Sequence, residues 1–164
     1  MIPHAEQTGL DIQGDLTIVG WFHMQANDQY MSLASKYEWG VNERAYRLGI
    51  MSDNKLEFII SPDGTYPKDA ILIGHTALQL ETWYHVAAVF DTANQTMVLY
   101  LNGELETSLD VPFNSIYNSS SPFVLGANQK NETIVQSFVG LLDEWQVYNQ
   151  ALDQTAIRNL IDMP

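Results

Sequence analysis

The stretch FVGLLDEWQVYNQAL, residues 138–152, has the composition of a long β-strand with two acids in its middle. Successive side chains of a strand point to opposite faces, so Asp143 and Glu144 should be separated. The odd-numbered face is the more apolar and should face a core. It carries Val139, Leu141, Asp143, Trp145 and Val147. The stretch therefore predicts a buried carboxylate at Asp143, and a buried carboxylate has to be paired or hydrogen-bonded.

Similar segments fill the rest of the chain. They are short, rich in β-branched and aromatic residues, and divided by turn residues, which is typical of strands. Asn102-Gly103 predicts a tight hairpin, and Asp153 predicts the N-cap of one short C-terminal helix. We therefore expect residues 1–164 to form a single all-β domain, a two-sheet antiparallel sandwich. The predicted strands before residue 138 span 15–23, 30–37, 44–51, 55–61, 70–75, 83–91, 96–103, 104–109 and 122–127.

The composition excludes several classes of function. Seven Lys and Arg face twenty Asp and Glu, for a formal net charge of −13. Nucleic acids and anionic membranes need basic surfaces, so neither is an expected partner. The absence of cysteine excludes disulfides and thiol chemistry. No apolar run reaches the length of a membrane span, and the N-terminal sequence MIPHAEQTG predicts no signal peptide.

Four motifs occur in a recognisable order. They are WYHVAAVFD (83–91), MVLYLNG (97–103), FVLG (123–126) and the stretch at 138–152. In this order they resemble the laminin-G-like jelly-roll domains of the concanavalin A-like lectin/glucanase superfamily. The resemblance implies a jelly roll of two curved sheets that binds glycans or proteins and is seldom catalytic. It also implies an extracellular or cell-surface module of a larger protein, in many members with calcium.

Calcium requires carboxylate and carbonyl oxygens. With the resemblance in view, Asp143 is the first candidate ligand of a structural ion, together with the turn between Asp11 and Asp15. The alternative is that Asp143 accepts backbone N–H groups or pairs with a Lys or Arg.

Two loops, residues 36–43 and 127–132, are the candidate ligand site. In pentraxins, more distant members of the superfamily, the matching loops hold metal ions, but Lys130 here opposes a cation. A sugar suits the loops better, since flat aromatic faces bind sugar rings and polar side chains supply directional hydrogen bonds. Packing of the aromatic residues against the core is the alternative. The predicted ligand-binding residues are Tyr37, Trp39, Asn42, Glu43, Asn128 and Gln129.

Catalysis has no comparable support. A glycosidase needs two carboxylates that flank one bond, and strand alternation separates Asp143 from Glu144. The four histidines show no metal-binding spacing. The leading hypothesis is a non-catalytic module that recognises a glycan through its loop rim. The alternative is a structural or adhesive protein-interaction domain of a larger extracellular protein.

Overall fold

The computed structural model describes residues 1–162 and confirms the two-sheet sandwich with a short C-terminal helix. A short 3-10 turn, His4–Glu6, precedes the first strand. The strands are β1 (Leu16–Met24), β2 (Met31–Glu38), β3 (Glu43–Ile50), β4 (Leu56–Ile60), β5 (Ile71–Ile73), β6 (Trp83–Asp91), β7 (Thr96–Leu101), β8 (Glu104–Asp110), β9 (Val124–Leu125), β10 (Asn128–Lys130), β11 (Thr133–Val135) and β12 (Gly140–Tyr148), and the helix is α1 (Gln154–Ile161).

The strands divide into a smaller and a larger sheet. The smaller sheet has five strands in the order β12-β1-β6-β7-β8. The larger sheet has seven, in the order β11-β10-β2-β3-β4-β5, with β9 paired to β2. The ladders between named strands are antiparallel except that β10 runs parallel to β2, where Gln129 pairs with Glu38. The sequence did not predict the hairpin formed by β10 and β11.

The core lies between the sheets and follows the two-residue alternation of their strands. In β1, the buried core residues Leu16, Ile18 and Phe22 alternate with residues of the outer face. On the larger sheet, Tyr46 and Leu48 do the same in β3. Each sheet therefore has an outer face whose side chains point away from the core.

Strand β12 departs from this alternation, and the prediction that Asp143 is buried is wrong. The pairing of β12 with β1 shifts register between Val19 and Trp21, which is a β-bulge. Trp145 turns inward across Gly20, where an added Cβ would lie 2.5 Å from the indole ring. Leu142 also packs on the core, whereas Asp143 is exposed.

Helix α1 covers one end of the outer face of the smaller sheet. Its fully buried Ile157 packs in a cluster with Val19, Ala87 and Val89. The predicted N-cap is confirmed, because the Asp153 carboxylate accepts the backbone N–H of Ala156 at 2.8 Å. Within residues 1–162, no helix is long and apolar enough to span a membrane.

Candidate functional site

A groove of about 230 Å³ crosses the outer face of the larger sheet. Strand alternation forms its floor, because Arg47 of β3 points outward between the core residues Tyr46 and Leu48. We call this surface the aromatic groove. Its lining residues are Tyr30, Tyr37, Trp39, Arg44, Arg47, Glu57, Ile59, Tyr66 and Gln136.

Arg47 and Glu57 form a buried ion pair on the floor of the aromatic groove. Another guanidinium nitrogen of Arg47, Nη1, donates to Gln136 Oε1 at 3.3 Å. Gly49 leaves room for this side chain, since a Cβ there would lie 3.3 Å from the guanidinium. The Nε of Arg47 has no hydrogen-bond partner among the described residues. Buried polar groups are nearly always paired, so this N–H is an exception within the floor of the groove.

Arg44 connects the floor to the loop between β2 and β3. Its Nη2 donates to the carbonyl oxygen of Trp39 at 2.6 Å, and its Nη1 donates to the carbonyl oxygen of Gly64 at 3.3 Å. The guanidinium carbon lies 5.7 Å from the centre of the Tyr37 ring. Burial raises the pKa of Tyr37, so its phenol stays neutral at physiological pH. Arg44 thus fixes the loop backbone at Trp39.

Three partly exposed aromatic side chains form the rim of the groove. The exposed fractions are 37% for Trp39, 43% for Tyr30 and 55% for Tyr66. The ammonium nitrogen of Lys130 lies 4.3 Å from the centre of the Trp39 ring, within cation–π distance. Large aromatic side chains normally pack, so three exposed ones around a single groove indicate a contact surface.

The six predicted ligand-binding residues do not lie in a single site. Tyr37 and Trp39 line the aromatic groove. Glu43 and Gln129 line a neighbouring depression of about 270 Å³ between the two loops. The other two predicted residues contact side chains of the groove from outside its lining.

These two residues have supporting contacts. Asn42 is exposed and its amide oxygen accepts a hydrogen bond from Arg44. Asn128 is fully buried and donates to Gln136 Oε1 at 3.2 Å. Its contact with the groove is therefore made through Gln136.

The three predicted calcium ligands are far from a common centre. Asp11 forms an ion pair with Lys36 Nζ at 2.9 Å, and Asp15 accepts the backbone N–H of Thr92 at 2.9 Å. Asp143 lies opposite Trp21, six residues along β1 from Asp15 and thus roughly 20 Å away. Within residues 1–162 there is no group of three or more His, Asp or Glu side chains that could hold a metal ion. Asp143 is therefore too far from the turn around Asp11 to Asp15 to share a calcium ion with its backbone carbonyls or its carboxylates.

Sequence reasoning missed the charged floor of the groove. Glu57 lies ten residues from Arg47, on the neighbouring strand β4, whereas Gln136 lies 89 residues from Arg47 and meets it only in the folded chain. One signal was present, because Arg47 and Glu57 stand among apolar residues of predicted core strands. A charge in such a segment belongs to the outer face.

Comparison with solved structures finds the same fold at low sequence identity. The carbohydrate-binding module (CBM40) of the Ruminococcus gnavus IT-sialidase, bound to α2,3-sialyllactose, is 19% identical, with a TM-score of 0.77 over 92% of this chain and 84% of that chain. A heptameric SAP-like pentraxin from Limulus polyphemus is 17% identical, with a TM-score of 0.67 over 90% of this chain and 70% of that chain. Domain 4 of an extracellular arabinanase from Geobacillus stearothermophilus, in complex with arabinotriose, is 19% identical, with a TM-score of 0.64 over 93% of this chain and 68% of that chain.

Sequence comparison identifies the family. No curated protein matches the chain. The laminin-G-3 family model, described as the concanavalin A-like lectin/glucanases superfamily, matches residues 2–158 of the 164. The match covers both sheets and most of α1, and it agrees with the fold of the similar structures. The chain therefore belongs to the concanavalin A-like lectin/glucanases superfamily.

Proposed function

We propose that the chain is a non-catalytic glycan-binding module and that the aromatic groove is its binding site. The observation that carries this proposal is the rim of partly exposed aromatic side chains around buried guanidinium groups. Aromatic faces accept the apolar faces of sugar rings, and the few polar groups between them fix the orientation of the ligand. The solved structures of similar fold that hold sialyllactose and arabinotriose support the same class of ligand.

The charge of the groove favours a glycan that carries a carboxylate. The chain has only seven Lys and Arg, and three of them, Arg44, Arg47 and Lys130, gather at this groove or contact its rim. One carboxylate, Glu57, faces them from the floor. Arginine binds carboxylates through its planar donors. Sialylated glycans are the ligands that this arrangement fits best.

Titration calorimetry with 3′-sialyllactose, 6′-sialyllactose and lactose tests the proposal. The two sialylated sugars should bind more tightly than lactose, because lactose lacks the carboxylate. Trp39→Ala should weaken binding by about tenfold or more, because it removes the flat aromatic face that contacts the sugar ring. Trp83→Ala, which removes an exposed tryptophan on the opposite sheet, is the matched control and should bind normally.

A glycan array widens the search beyond these three sugars. If no glycan binds with calcium or with chelator, the glycan proposal is rejected and the adhesive protein-interaction domain takes its place. If neutral sugars bind as tightly as sialylated ones and Trp39→Ala abolishes both, the groove is retained but its preference for a carboxylate is not. As a glycan-binding module, the chain would work outside the cell as part of a larger protein.

Calcium is a separate proposal that rests on the family alone. An ion that binds only the folded state raises the melting temperature, by an amount that grows with the logarithm of its concentration relative to its Kd. Melting curves with added calcium and with chelator should differ by several degrees if such an ion binds. Identical curves would end the calcium proposal without affecting the glycan proposal.

A further inference from the structure

The outer face of the smaller sheet has a groove of its own, and no role for it has been derived above. Its volume is about 310 Å³, and it opens beside the C-terminal end of α1. We call it the tryptophan groove. It is lined by Trp21, Trp83, Asp143, Glu144 and Ile161. Because it lies on the other sheet of the sandwich, it is separate from the aromatic groove.

The bulge in β12 brings both acids of this groove to one side. In a regular strand Asp143 and Glu144 would point to opposite faces. Here Glu144 takes the left-handed backbone conformation, with φ of +52°, and both acids line the groove. Bulges re-aim side chains in this way, and they are common beside binding sites.

Neither carboxylate has a cationic partner within residues 1–162. The hydrogen bond found for Asp143 comes from the backbone N–H of Glu144 at 2.9 Å, and no ion pair involves either acid. The lining residues include no Lys, Arg or His. The groove therefore has a net negative charge with no internal compensation, which disfavours an anionic ligand and favours a cation.

The two tryptophans are held in place by histidines. The Trp83 ring is 42% exposed and lies 5.3 Å from His23, centre to centre. The Trp21 ring meets His85 edge-on at 5.2 Å. His85 is only 2% exposed, its Nδ1 has no partner among the described residues, and burial lowers its pKa to about 4. The histidine behind Trp21 is therefore neutral at physiological pH and adds no positive charge to the groove.

We propose that the tryptophan groove binds an organic ammonium group. The faces of the indole rings attract a cation that keeps an apolar surface, and the two unpaired carboxylates supply the opposite charge. A weakly hydrated ammonium on an apolar or sugar scaffold matches both features. An anionic ligand matches neither, and a neutral one leaves the carboxylates unpaired. This site does not depend on the glycan proposal.

Titration with choline, followed through the indole N–H signals of the ¹⁵N-labelled protein, tests the proposal. Its neutral isostere, 3,3-dimethylbutan-1-ol, has the same shape without the charge. Choline should shift the signals of Trp21 and Trp83 in a saturable manner. The isostere should bind about tenfold more weakly, which corresponds to a cation–π contribution of ordinary size. Added salt should weaken choline binding, because the groove is open to solvent.

The variants separate the contributions of the ring and of the charge. Trp83→Ala and the double variant Asp143→Asn with Glu144→Gln should each weaken choline binding at least fivefold. Trp39→Ala in the aromatic groove and Asp69→Asn, which removes an exposed acid of a loop beside the larger sheet, are the matched controls and should leave binding unchanged. Circular dichroism verifies that each variant is folded. All the substituted side chains are at least partly exposed.

Several results would overturn the proposal. Equal binding of choline and its isostere would show an apolar patch without selectivity for charge. Unchanged choline binding in the double variant would remove the carboxylates from the site. Displacement of choline by millimolar calcium, with the same signals shifted by calcium alone, would show a metal site instead. If choline shifts no indole N–H signal at any concentration, the proposal is rejected.

Two further probes identify the source of the ammonium group once choline binds. Glucosamine represents an amino sugar, and a short peptide with trimethyllysine represents a protein side chain. Tighter binding of either supports the proposal and identifies that source. If neither probe competes with choline, the groove does not bind organic ammonium groups as a class, and the proposal is contradicted.

Discussion

His85 should make the stability of the fold depend on pH, beginning well above the ordinary pKa values of carboxyl groups. The side chain is almost fully buried on the outer face of the smaller sheet, against Trp21. Burial lowers its pKa from 6.5 to about 4. In the unfolded chain the imidazole regains its ordinary pKa. Between these two values the unfolded state binds more protons than the folded state, so lowering the pH favours unfolding.

The size of the effect follows from the difference between the two pKa values. A difference of about 2.5 units, at about 1.4 kcal/mol per unit, gives roughly 3 kcal/mol. This contribution is fully present above pH 6.5 and is lost as the pH falls towards 4. The carboxyl groups of Asp63 and Asp91 have pKa values held below 3.8 by hydrogen bonds, so their contribution is lost only at lower pH. The effect of His85 is separated from that of the other titratable groups by comparison with a variant that lacks this imidazole.

Urea unfolding at pH 7.0, 6.0, 5.0 and 4.5 measures this contribution. The parent protein should lose roughly 2 kcal/mol over this range through His85. His85→Gln cannot titrate and should show a correspondingly flatter dependence, whatever its stability at pH 7. His75→Gln replaces an exposed histidine and should follow the parent. Equal slopes for the parent and His85→Gln would refute the assignment of the effect to burial of His85.

Three other substitutions test the packing, the helix cap and the charged floor. Gly20→Ala should destabilise the fold by about 1–3 kcal/mol, because the new Cβ collides with the Trp145 ring; an unchanged melting temperature would contradict this. Asp153→Ala should cost about 1 kcal/mol through loss of the N-cap, whereas Asp153→Asn should retain most of the stability. Glu57→Gln should cost about 3 kcal/mol, because Arg47 is left as a buried charge without its partner. Adding Arg47→Met to Glu57→Gln should restore stability, and a double variant less stable than Glu57→Gln would reject this account.

The strands were predictable where local composition and alternation agree. The predicted limits of the long strands lie within two residues of the observed ones, as in β1 and β6. The hairpin of β10 and β11 was missed because its sequence, NQKNETIV, is mainly polar and lacks a turn glycine. Asn131 and Glu132 nonetheless have positive φ values of 47° and 63°, as in the tight turns that usually contain glycine. Tertiary contacts stabilise this turn, since Glu38 accepts the backbone N–H of Glu132.

The candidate site was predictable only where it lies on one loop. Trp39 stands in a short polar segment, and its position there predicted a contact surface. Tyr37, which was predicted to lie in the same loop, belongs to β2 and is buried. Arg47 and Gln136 are 89 residues apart and meet across paired strands. A single sequence gives the face of each residue but not the strand order that makes distant residues neighbours. The charged floor of the groove and two of its three rim residues, Tyr30 and Tyr66, therefore needed the structure, whereas Trp39 did not.

The bulge in β12 shows where strict alternation gives a wrong answer and how the sequence could have indicated it. Leu142 and Trp145 both pack on the core, although they are three positions apart. A regular strand places residues at an odd spacing on opposite faces. The prediction that the odd-numbered residues face the core places Trp145 correctly, but it also buries Asp143. An extra residue between the two anchors satisfies both, and Gly20 on the adjacent strand leaves the space that the indole needs. The same displacement puts Asp143 and Glu144 into one groove. When strand alternation places an acid on a core face beside a large aromatic residue, a β-bulge is therefore the better interpretation than a buried charge.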